Sequence, residues 1–325
     1  MSIDAAYLDS LHHAITDAHH ALRPQVAVTP LSHSPGLSAL TGCEVYLKCE
    51  HLQHTGSFKF RGASNKLRLL DPRQRSRGVI TASSGNHGQG LALAGRLLGV
   101  PVTVYVSSDA SPYKITAMRA LGAEVVTLDC DPLSVELEAA RQARCQDKPF
   151  VSPYNDPQII AGQGTIGLEL YEQQPDLDAV FVATGGGGMI SGIGAALRGL
   201  APQVELVGCW PANAPTLQRS LQVGKIIDVE EAPTLSDGTA GGVEPRSITF
   251  PLCQRLVRRT VLVDEDAIKA AMRVVAASER WIIEGAAGVA MAGMQALANE
   301  YQGKKVAVVL CGRNIALDKY LEAIQ

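Results

Sequence analysis

The chain has 325 residues, 46% of them hydrophobic, and a formal net charge of -3 at pH 7. This length suits one large domain or two of ordinary size. The lack of basic runs disfavours a nucleic-acid partner, and no apolar segment approaches the roughly 20 residues that cross a bilayer. No secretory signal is recognisable at the N-terminus. The seven cysteines are scattered without a C-x-x-C pair, which favours a reducing cytoplasm over a disulfide framework or a zinc site.

The first 77 residues predict two helices on either side of a short strand. Residues 4 to 23 have the apolar spacing of an amphipathic helix, and residues 45 to 48 form a strand. A second helix is expected from the turn at Lys59 to about Leu70, where Pro72 should end it.

Residues 78 to 156 alternate between strands and helices. Strands are predicted at residues 79–81, 102–106, 124–128 and 150–151. Helices are predicted at residues 89–98, from residue 112 onward, and at residues 133–146. Ser111 is the expected cap of the middle helix, whose first residue is Pro112. Such alternation predicts parallel strands joined by right-handed helical crossovers.

A second and larger alternating run follows. Helices are predicted from residue 165 onward and at residues 189–200, 264–277 and 285–300. Strands are predicted at residues 179–183, 204–208 and 306–310, and residues 225–262 are expected to be rich in loops. The fold class is therefore α/β, with two doubly wound, mostly parallel-sheet lobes and a cleft between them. We expect residues 1–77 and 157–325 to form the large domain, and residues 78–156 the small one.

Lys59 lies between two phenylalanines, Phe58 and Phe60, directly after a Gly-Ser turn. Aromatic walls exclude water, and desolvation lowers the pKa of an amine. A neutral amine can attack a carbonyl carbon and form an imine. The alternative is a lysine whose stem covers apolar surface while its head reaches water.

Four consecutive glycines, Gly185, Gly186, Gly187 and Gly188, separate an apolar strand from a helix. Their backbone N–H groups could surround an anion at the helix N-terminus. Each hydrogen bond to a charged group contributes roughly 1.5 to 3 kcal/mol, so the loop could hold a phosphate without a basic side chain. The loop lacks the Gly-Lys-Ser/Thr ending of a P-loop. A tight strand-to-helix connection is the alternative.

Residues 162–167 match the G-x-G-x-x-G pattern of dinucleotide folds. Pro153 and Pro157 precede them where that fold needs a buried strand, and no acidic residue follows at the required spacing. A nicotinamide site here is disfavoured.

Polar residues follow the first strand of the small domain: Ser83, Ser84, Asn86 and His87. The carboxyl ends of parallel strands are where open α/β sheets bind ligands. Hydroxyl, amide and helix N-terminal N–H groups would suit a substrate carboxylate. An elaborate helix cap is the alternative.

The last predicted strand ends in Cys311-Gly312-Arg313-Asn314. Together with the Ser57–Ala63 segment, the Ser-Ser-Gly-Asn-His-Gly turn and the four glycines, this motif resembles the threonine dehydratase / serine racemase group of pyridoxal-phosphate enzymes. That group has the tryptophan-synthase-β-like architecture of fold-type II enzymes. The similarity runs from about Val28 to Leu317.

The resemblance implies pyridoxal 5'-phosphate as the cofactor, bound chiefly by the large domain, and a homodimer. Lys59 would hold the cofactor as a Schiff base. The other residues expected to contact the cofactor are Phe58, Asn86, Gly185, Gly186, Gly187, Gly188, Met189 and Cys311. The residues expected around the substrate carboxylate are Ser83, Ser84, Asn86 and His87.

Cys311 would face the pyridine nitrogen of the cofactor. A thiol is a weak hydrogen-bond donor and is neutral below about pH 8, so it would stabilise a carbanion only in part. A substrate with a β leaving group then has the advantage, and we expect β-elimination of a 3-hydroxy amino acid to a 2-oxo acid and ammonium. Lys59 would take the Cα proton.

Three alternatives remain open at this point. The substrate could be larger than threonine or serine, such as 3-phenylserine, or 3-hydroxyaspartate held by Arg313 or Arg246. Racemisation would need an acid on the opposite face of the cofactor, for which Ser84 is the candidate. The chain could also be an inactive binding protein on the same fold.

The group's divalent-cation site has acidic residues in the loop that follows the strand at residues 204–209. Trp210 and Thr216 occupy the places where acids are expected. We therefore predict no metal at this loop.

Overall fold

The computed structural model describes residues 3–130 and 132–325. In these ranges the strands are β1 Leu31–His33, β2 Glu44–Lys48, β3 Val79–Ala82, β4 Val102–Ser107, β5 Glu124–Leu128, β6 Ala179–Ala183, β7 Glu205–Pro211, β8 Arg259–Val263 and β9 Lys305–Val309. The helices are α1 Ala5–Leu22, α2 Pro35–Thr41, α3 Lys59–Arg68, α4 Pro72–Arg77, α5 Asn86–Leu98, α6 Pro112–Ala120, α7 Pro132–Cys145, α8 Pro157–Gln173, α9 Gly188–Leu200, α10 Thr216–Val223, α11 Thr249–Leu256, α12 Glu265–Glu279, α13 Gly285–Leu297 and α14 Leu317–Ile324.

The larger sheet in the described part of the chain has six strands in the order β1-β2-β9-β6-β7-β8. All neighbouring pairs are parallel except β1 with β2 at the edge. Every residue of β6 is buried, as an apolar strand covered on both faces requires. Helices α9 and α13 both pack against β6 and β7.

The smaller sheet, again within the described residues, consists of β3, β4 and β5, all parallel. The predicted fourth strand is reduced to an isolated bridge between Phe150 and Ile80. Ile80 donates its N–H to the Pro149 carbonyl at 3.0 Å, and the Val151 N–H donates back to Ile80 at 2.9 Å. The fold class predicted from the sequence is confirmed.

Two prolines begin helices at positions where the sequence analysis predicted no helix start. Pro72 is the first residue of α4, which Asp71 caps with a capping box. Pro157 is likewise the first residue of α8, whose cap is the Asp156 carboxylate. Proline fits the first turn of a helix because its missing N–H would have had no intrahelical acceptor there. The loop-rich region at residues 225–262 also contains α11 and most of β8.

The G-x-G-x-x-G match lies in the middle of α8 and not in a strand-to-helix turn. A Cβ on Gly162 would lie 2.6 Å from the Gly62 Cα, and one on Gly164 would lie 2.9 Å from the Gly192 carbonyl oxygen. These glycines let α8 approach α3 and α9 closely. The pattern therefore has a packing explanation in this chain.

The predicted domains each contain one sheet, but their cores interleave. Leu22 of α1, Phe60 of α3 and Ile159 of α8 belong to the same apolar cluster as Val104 of the smaller sheet. The division into residues 1–77 with 157–325 and residues 78–156 stays a prediction. Among the described residues, no helix has the length and apolarity needed to cross a membrane.

Candidate functional site

Lys59 and Cys311 are brought together by the segment that leads into α3. Ser57 forms an antiparallel bridge with Gly312, and the Phe58 N–H donates to the Cys311 carbonyl oxygen at 3.1 Å. Lys59 then begins α3. The end of the central strand β9 therefore fixes the start of the helix that carries the lysine.

The Lys59 amine lies in a shielded place. Its Nζ donates to the Pro153 carbonyl oxygen at 2.9 Å and lies 5.2 Å from the centroid of the Phe58 ring. Burial lowers the pKa of Lys59 to about 8, so about a tenth of the amine is neutral at pH 7, far more than for an ordinary lysine. Only one of the two expected aromatic walls is present, because Phe60 packs into the core, where its ring contacts His54. Adjacent residues on a helix point about 100° apart.

The loop after β3 partly caps its own helix. Ser83 Oγ accepts hydrogen bonds from the N–H groups of Gly85 at 3.3 Å and Gly88 at 3.2 Å, so the capping alternative holds for this hydroxyl. Ser84 is exposed.

His87 cannot offer its ring to a carboxylate as a donor. The ring Nε2 lies 3.1 Å from the Val151 carbonyl oxygen, which only accepts, so Nε2 carries the proton. Burial lowers the pKa of His87 to about 3, and the remaining Nδ1 is an unprotonated, buried acceptor. Backbone N–H groups of Asn86 and His87 lie in the first turn of α5, where intrahelical acceptors are lacking. They are the groups of this turn best suited to an anion.

Asn86 is held by a residue that the sequence did not single out, Glu284. The Asn86 amide donates to both Glu284 carboxylate oxygens, at 2.8 and 3.1 Å. Asn314 Nδ2 donates to Asn86 Oδ1 at 2.6 Å. Glu284 lies directly before α13 and is only 4% exposed. The one signal in the sequence is a carboxylate inside an otherwise apolar stretch, between Ile283 and Gly285.

The loop of four glycines packs so closely against neighbouring residues that side chains would not fit, whether or not a ligand is bound. A Cβ on Gly185 would lie 2.8 Å from the Thr239 carbonyl oxygen, and one on Gly186 would lie 2.6 Å from the Tyr154 ring. A tight connection therefore explains part of the pattern.

The first turn of α9 nevertheless has donors to spare. Gly187 adopts a left-handed conformation (φ +86°) before the helix, which has no side-chain cap. The first intrahelical bond runs from the Ser191 N–H to the Gly187 carbonyl at 3.0 Å. The N–H groups of Gly188, Met189 and Ile190 therefore have no intrahelical acceptor, although all three residues are buried. A phosphate fits such a helix start.

Cys311 is buried, and that burial raises the pKa of its thiol well above the ordinary value. It is therefore neutral at physiological pH. Lys59 is close enough for its charge to act on this thiol. A shielded amine, a neutral thiol and the free N–H groups of α9 together fit the predicted pyridoxal phosphate. The described residues contain no cluster of three or more His, Cys, Asp or Glu side chains placed to hold a metal ion.

Comparison with known proteins gives the same grouping. The sequence profile of the family described as "Pyridoxal-phosphate dependent enzyme" matches residues 22–312. The chain is 44% identical to an L-threonine ammonia-lyase of Thermotoga maritima over 306 residues, covering 93% of this chain and 75% of that protein. It is 36% identical to an L-threo-3-hydroxyaspartate ammonia-lyase of a Pseudomonas species, covering 97% and 99%. The structure of the processed form of threonine deaminase isoform 2 from Solanum lycopersicum superposes with a TM-score of 0.95 at 32% identity, covering 99% of this chain and 89% of that one.

Proposed function

The chain belongs to the family of pyridoxal-phosphate dependent enzymes, and from that premise we propose that it is an ammonia-lyase acting on a 3-hydroxy L-amino acid. Threonine is the first substrate to test, with serine next. The products are a 2-oxo acid and ammonium.

The observation that carries this proposal is the pairing of the Lys59 amine with the buried, neutral Cys311 thiol. When bound, pyridoxal phosphate supplies an electron sink for the negative charge that develops at the substrate Cα. A thiol donates only weakly to a ring nitrogen, so the sink is partial. A substrate whose β-hydroxyl leaves as the Cα proton is lost suits such a site best.

The residues of the site supply proton transfer and binding. The Lys59 amine takes the Cα proton, for which its pKa of about 8 is well matched. The Pro153 carbonyl accepts a hydrogen bond from that amine and so helps to aim it. The first-turn N–H groups of α5 bind the substrate carboxylate, and those of α9 bind the cofactor phosphate.

Negative charge near the site favours threonine over 3-hydroxyaspartate. Glu244 accepts a hydrogen bond from Asn155 Nδ2 at 2.6 Å, and its N–H donates to the Tyr154 hydroxyl at 3.0 Å. Burial raises the pKa of Glu136, and repulsion from nearby Glu244 raises it further. Both acids lie beside the 152–155 segment, whose Pro153 carbonyl contacts Lys59, so a second substrate carboxylate bound on that side would be repelled.

The two arginines considered for an acidic substrate do not counter this charge. Arg246 and Arg313 are both exposed. The 3-hydroxyaspartate activity named for the Pseudomonas relative keeps that substrate as the second candidate.

A substrate panel tests the proposal. Release of 2-oxo acid is measured for L-threonine, L-serine, L-threo-3-hydroxyaspartate and 3-phenylserine, and recovered serine is analysed for its chirality. Threonine should exceed 3-hydroxyaspartate by at least about tenfold in kcat/KM. Lys59→Ala should abolish turnover. Lys225→Ala, which removes an exposed lysine, should not change it.

The other outcomes identify the alternatives. A preference for 3-hydroxyaspartate would overturn the charge argument, and D-serine without 2-oxo acid would make the chain a racemase, with Ser84 as the second acid. Loss of all turnover with the cofactor bound would point to a binding protein. A homodimer in a reducing cytoplasm is part of the proposal, to be checked by light scattering and by localisation of the native protein.

A further inference from the structure

Glu284 is a buried carboxyl that the proposed reaction does not use. Its N–H donates to the Gly312 carbonyl at 3.1 Å, and its side chain lies against the same residue. A Cβ on Gly312 would come within 2.5 Å of Glu284 Oε1. Gly312 therefore leaves space for this carboxylate, next to the point where the end of β9 contacts the segment that precedes Lys59.

The hydrogen bonds around Glu284 have one consistent direction. At one end, the Thr55 carbonyl accepts from Asn314 Nδ2 at 2.8 Å. The same amide nitrogen donates to Asn86 Oδ1. At the other end, the Glu284 carboxylate accepts from Asn86 Nδ2, and also from the Asn314 N–H at 3.0 Å. Carbonyl and carboxylate oxygens only accept, so both ends require the Asn86 amide to be oriented as it is.

We propose that Glu284 is a positioning residue: its carboxylate fixes the orientation of the Asn86 amide, and with it the hydrogen-bond donor that Asn86 offers to the phenolic oxygen of pyridoxal phosphate. This inference rests on the cofactor contact proposed for Asn86 and is independent of which amino acid is the substrate. A loose amide could instead turn its oxygen toward that phenolic oxygen, where two acceptors would repel each other.

The charges that face Glu284 make this orientation sensitive to pH. Burial is the main cause that raises the pKa of Glu284 to about 7. The bonds from Asn86 and Asn314 and the charge of Lys114 oppose this effect, and the charge of Asp237 adds to it. Lys59 and Cys311 also face it. Asp237 and Lys114 form an ion pair at 2.9 Å, which joins the loop before α11 to α6 beside the smaller sheet.

Protonation would disturb the network in a defined direction. A protonated Glu284 has an O–H donor facing the N–H groups of Asn86 and Asn314, so at least one of their bonds is lost. The orientation of the Asn86 amide is therefore fixed best at a pH above the pKa of Glu284, and less well at a pH below it. Cofactor affinity should be higher at pH 8 than at pH 6.

A double-mutant cycle on cofactor binding tests the proposal at pH 8. The dissociation constant of pyridoxal phosphate is measured by titrating the apoprotein of the native chain, Glu284→Gln, Asn86→Ala and the double variant. In the chain that keeps Asn86, Glu284→Gln should raise the dissociation constant about tenfold. In the Asn86→Ala background the same substitution should raise it less than about twofold. Glu205→Gln is the matched control, since Glu205 accepts from the Tyr301 hydroxyl at 2.6 Å at the opposite end of the parallel strands. It should leave the constant unchanged.

The absorbance of the bound cofactor provides a second readout that needs no substrate. The native protein should show a transition between pH 6 and 8.5 with a midpoint near 7, which is lost in Glu284→Gln and in Asn86→Ala and retained in Glu284→Asp. An equal loss of affinity in both backgrounds, or a transition that persists in Glu284→Gln, would overturn the proposal.

Two further arms keep the test decisive. Should Glu284→Gln not fold, the transition in Asn86→Ala decides: its loss supports the proposal, and its persistence refutes it. A chain that lacks lyase activity gives the same readouts, so failure here is distinct from failure of the proposed reaction.

Discussion

Glu169 belongs to a buried ionic cluster that anchors the start of α3, and its replacement by glutamine should strongly destabilise the protein. Glu169 accepts from Lys48 Nζ at 2.6 Å and from Arg61 Nη1 and Nη2 at 2.6 and 2.8 Å. Glu50 accepts from Arg61 Nε at 2.8 Å. All four side chains are at most 3% exposed. Two cations thus face two carboxylates in a place shielded from bulk solvent.

Glu169→Gln leaves two buried cations with one carboxylate. Breaking a buried ion pair from one side costs about 3–5 kcal/mol because the remaining charge stays desolvated, and we expect a loss of that size in the free energy of unfolding. The assay is urea denaturation of the apoprotein. Glu172→Gln is the matched control on the same helix. Its side chain is 46% exposed in its pair with Arg23, so its loss should be at most about 1 kcal/mol.

The pH dependence of this variant has a definite sign. Burial lowers the pKa of Lys48, and Glu169 opposes that effect. Without Glu169 the pKa of Lys48 falls further, so the unfolded chain binds more protons than the folded one over a wider range below the ordinary lysine value of about 10.4. Stability should therefore rise more steeply from pH 7 to 9 in the variant than in the native protein. A loss below about 1 kcal/mol at pH 7, equal to that of Glu172→Gln, would refute the reasoning.

Three further predictions concern the site itself. Covalent capture of pyridoxal phosphate by the apoprotein should accelerate about tenfold per pH unit below the Lys59 pKa of about 8 and level off above it; stopped-flow absorbance checks this, and a flat profile contradicts it. Gly187→Ala should weaken cofactor binding and cost more than about 1 kcal/mol of stability, because φ is +86° and the new Cβ would lie 2.9 Å from Cys253 Sγ; unchanged titration and denaturation curves would contradict this. A chelator should leave turnover unchanged, since Trp210 is buried in the core and Thr216 donates to Glu231; activity lost to the chelator and restored by magnesium would count against it.

The sequence was most informative where the functional residues lie within a short segment at the end of a predicted strand or the start of a predicted helix. Lys59, the four glycines and Cys311 each follow or precede a predicted strand or helix, so their placement at strand ends could be inferred from local order. The glycines of α8 misled because a glycine required for close helix packing looks the same in sequence as one required by a turn. Gly162 and Gly164 have the first role.

Long-range contacts explain what could not be inferred. Glu284 and Asn86 are 198 positions apart, and nothing in either neighbourhood indicates the other. The same holds for His87, whose ring donates a hydrogen bond to the Val151 carbonyl oxygen. Every residue has a backbone carbonyl, so the sequence does not show which one the ring will contact. Phe60 also differed from expectation, because the direction of a side chain on a helix depends on where the helix begins.

The most direct test of Lys59 as the cofactor-bearing residue is borohydride reduction of the protein loaded with pyridoxal phosphate, followed by peptide mass mapping. The pyridoxyl group should be found on the peptide that contains Lys59, in about one copy per chain. The same adduct should be absent from Lys59→Ala. A pyridoxyl group found only on another lysine, such as Lys48 or Lys114, or on none, would contradict the assignment.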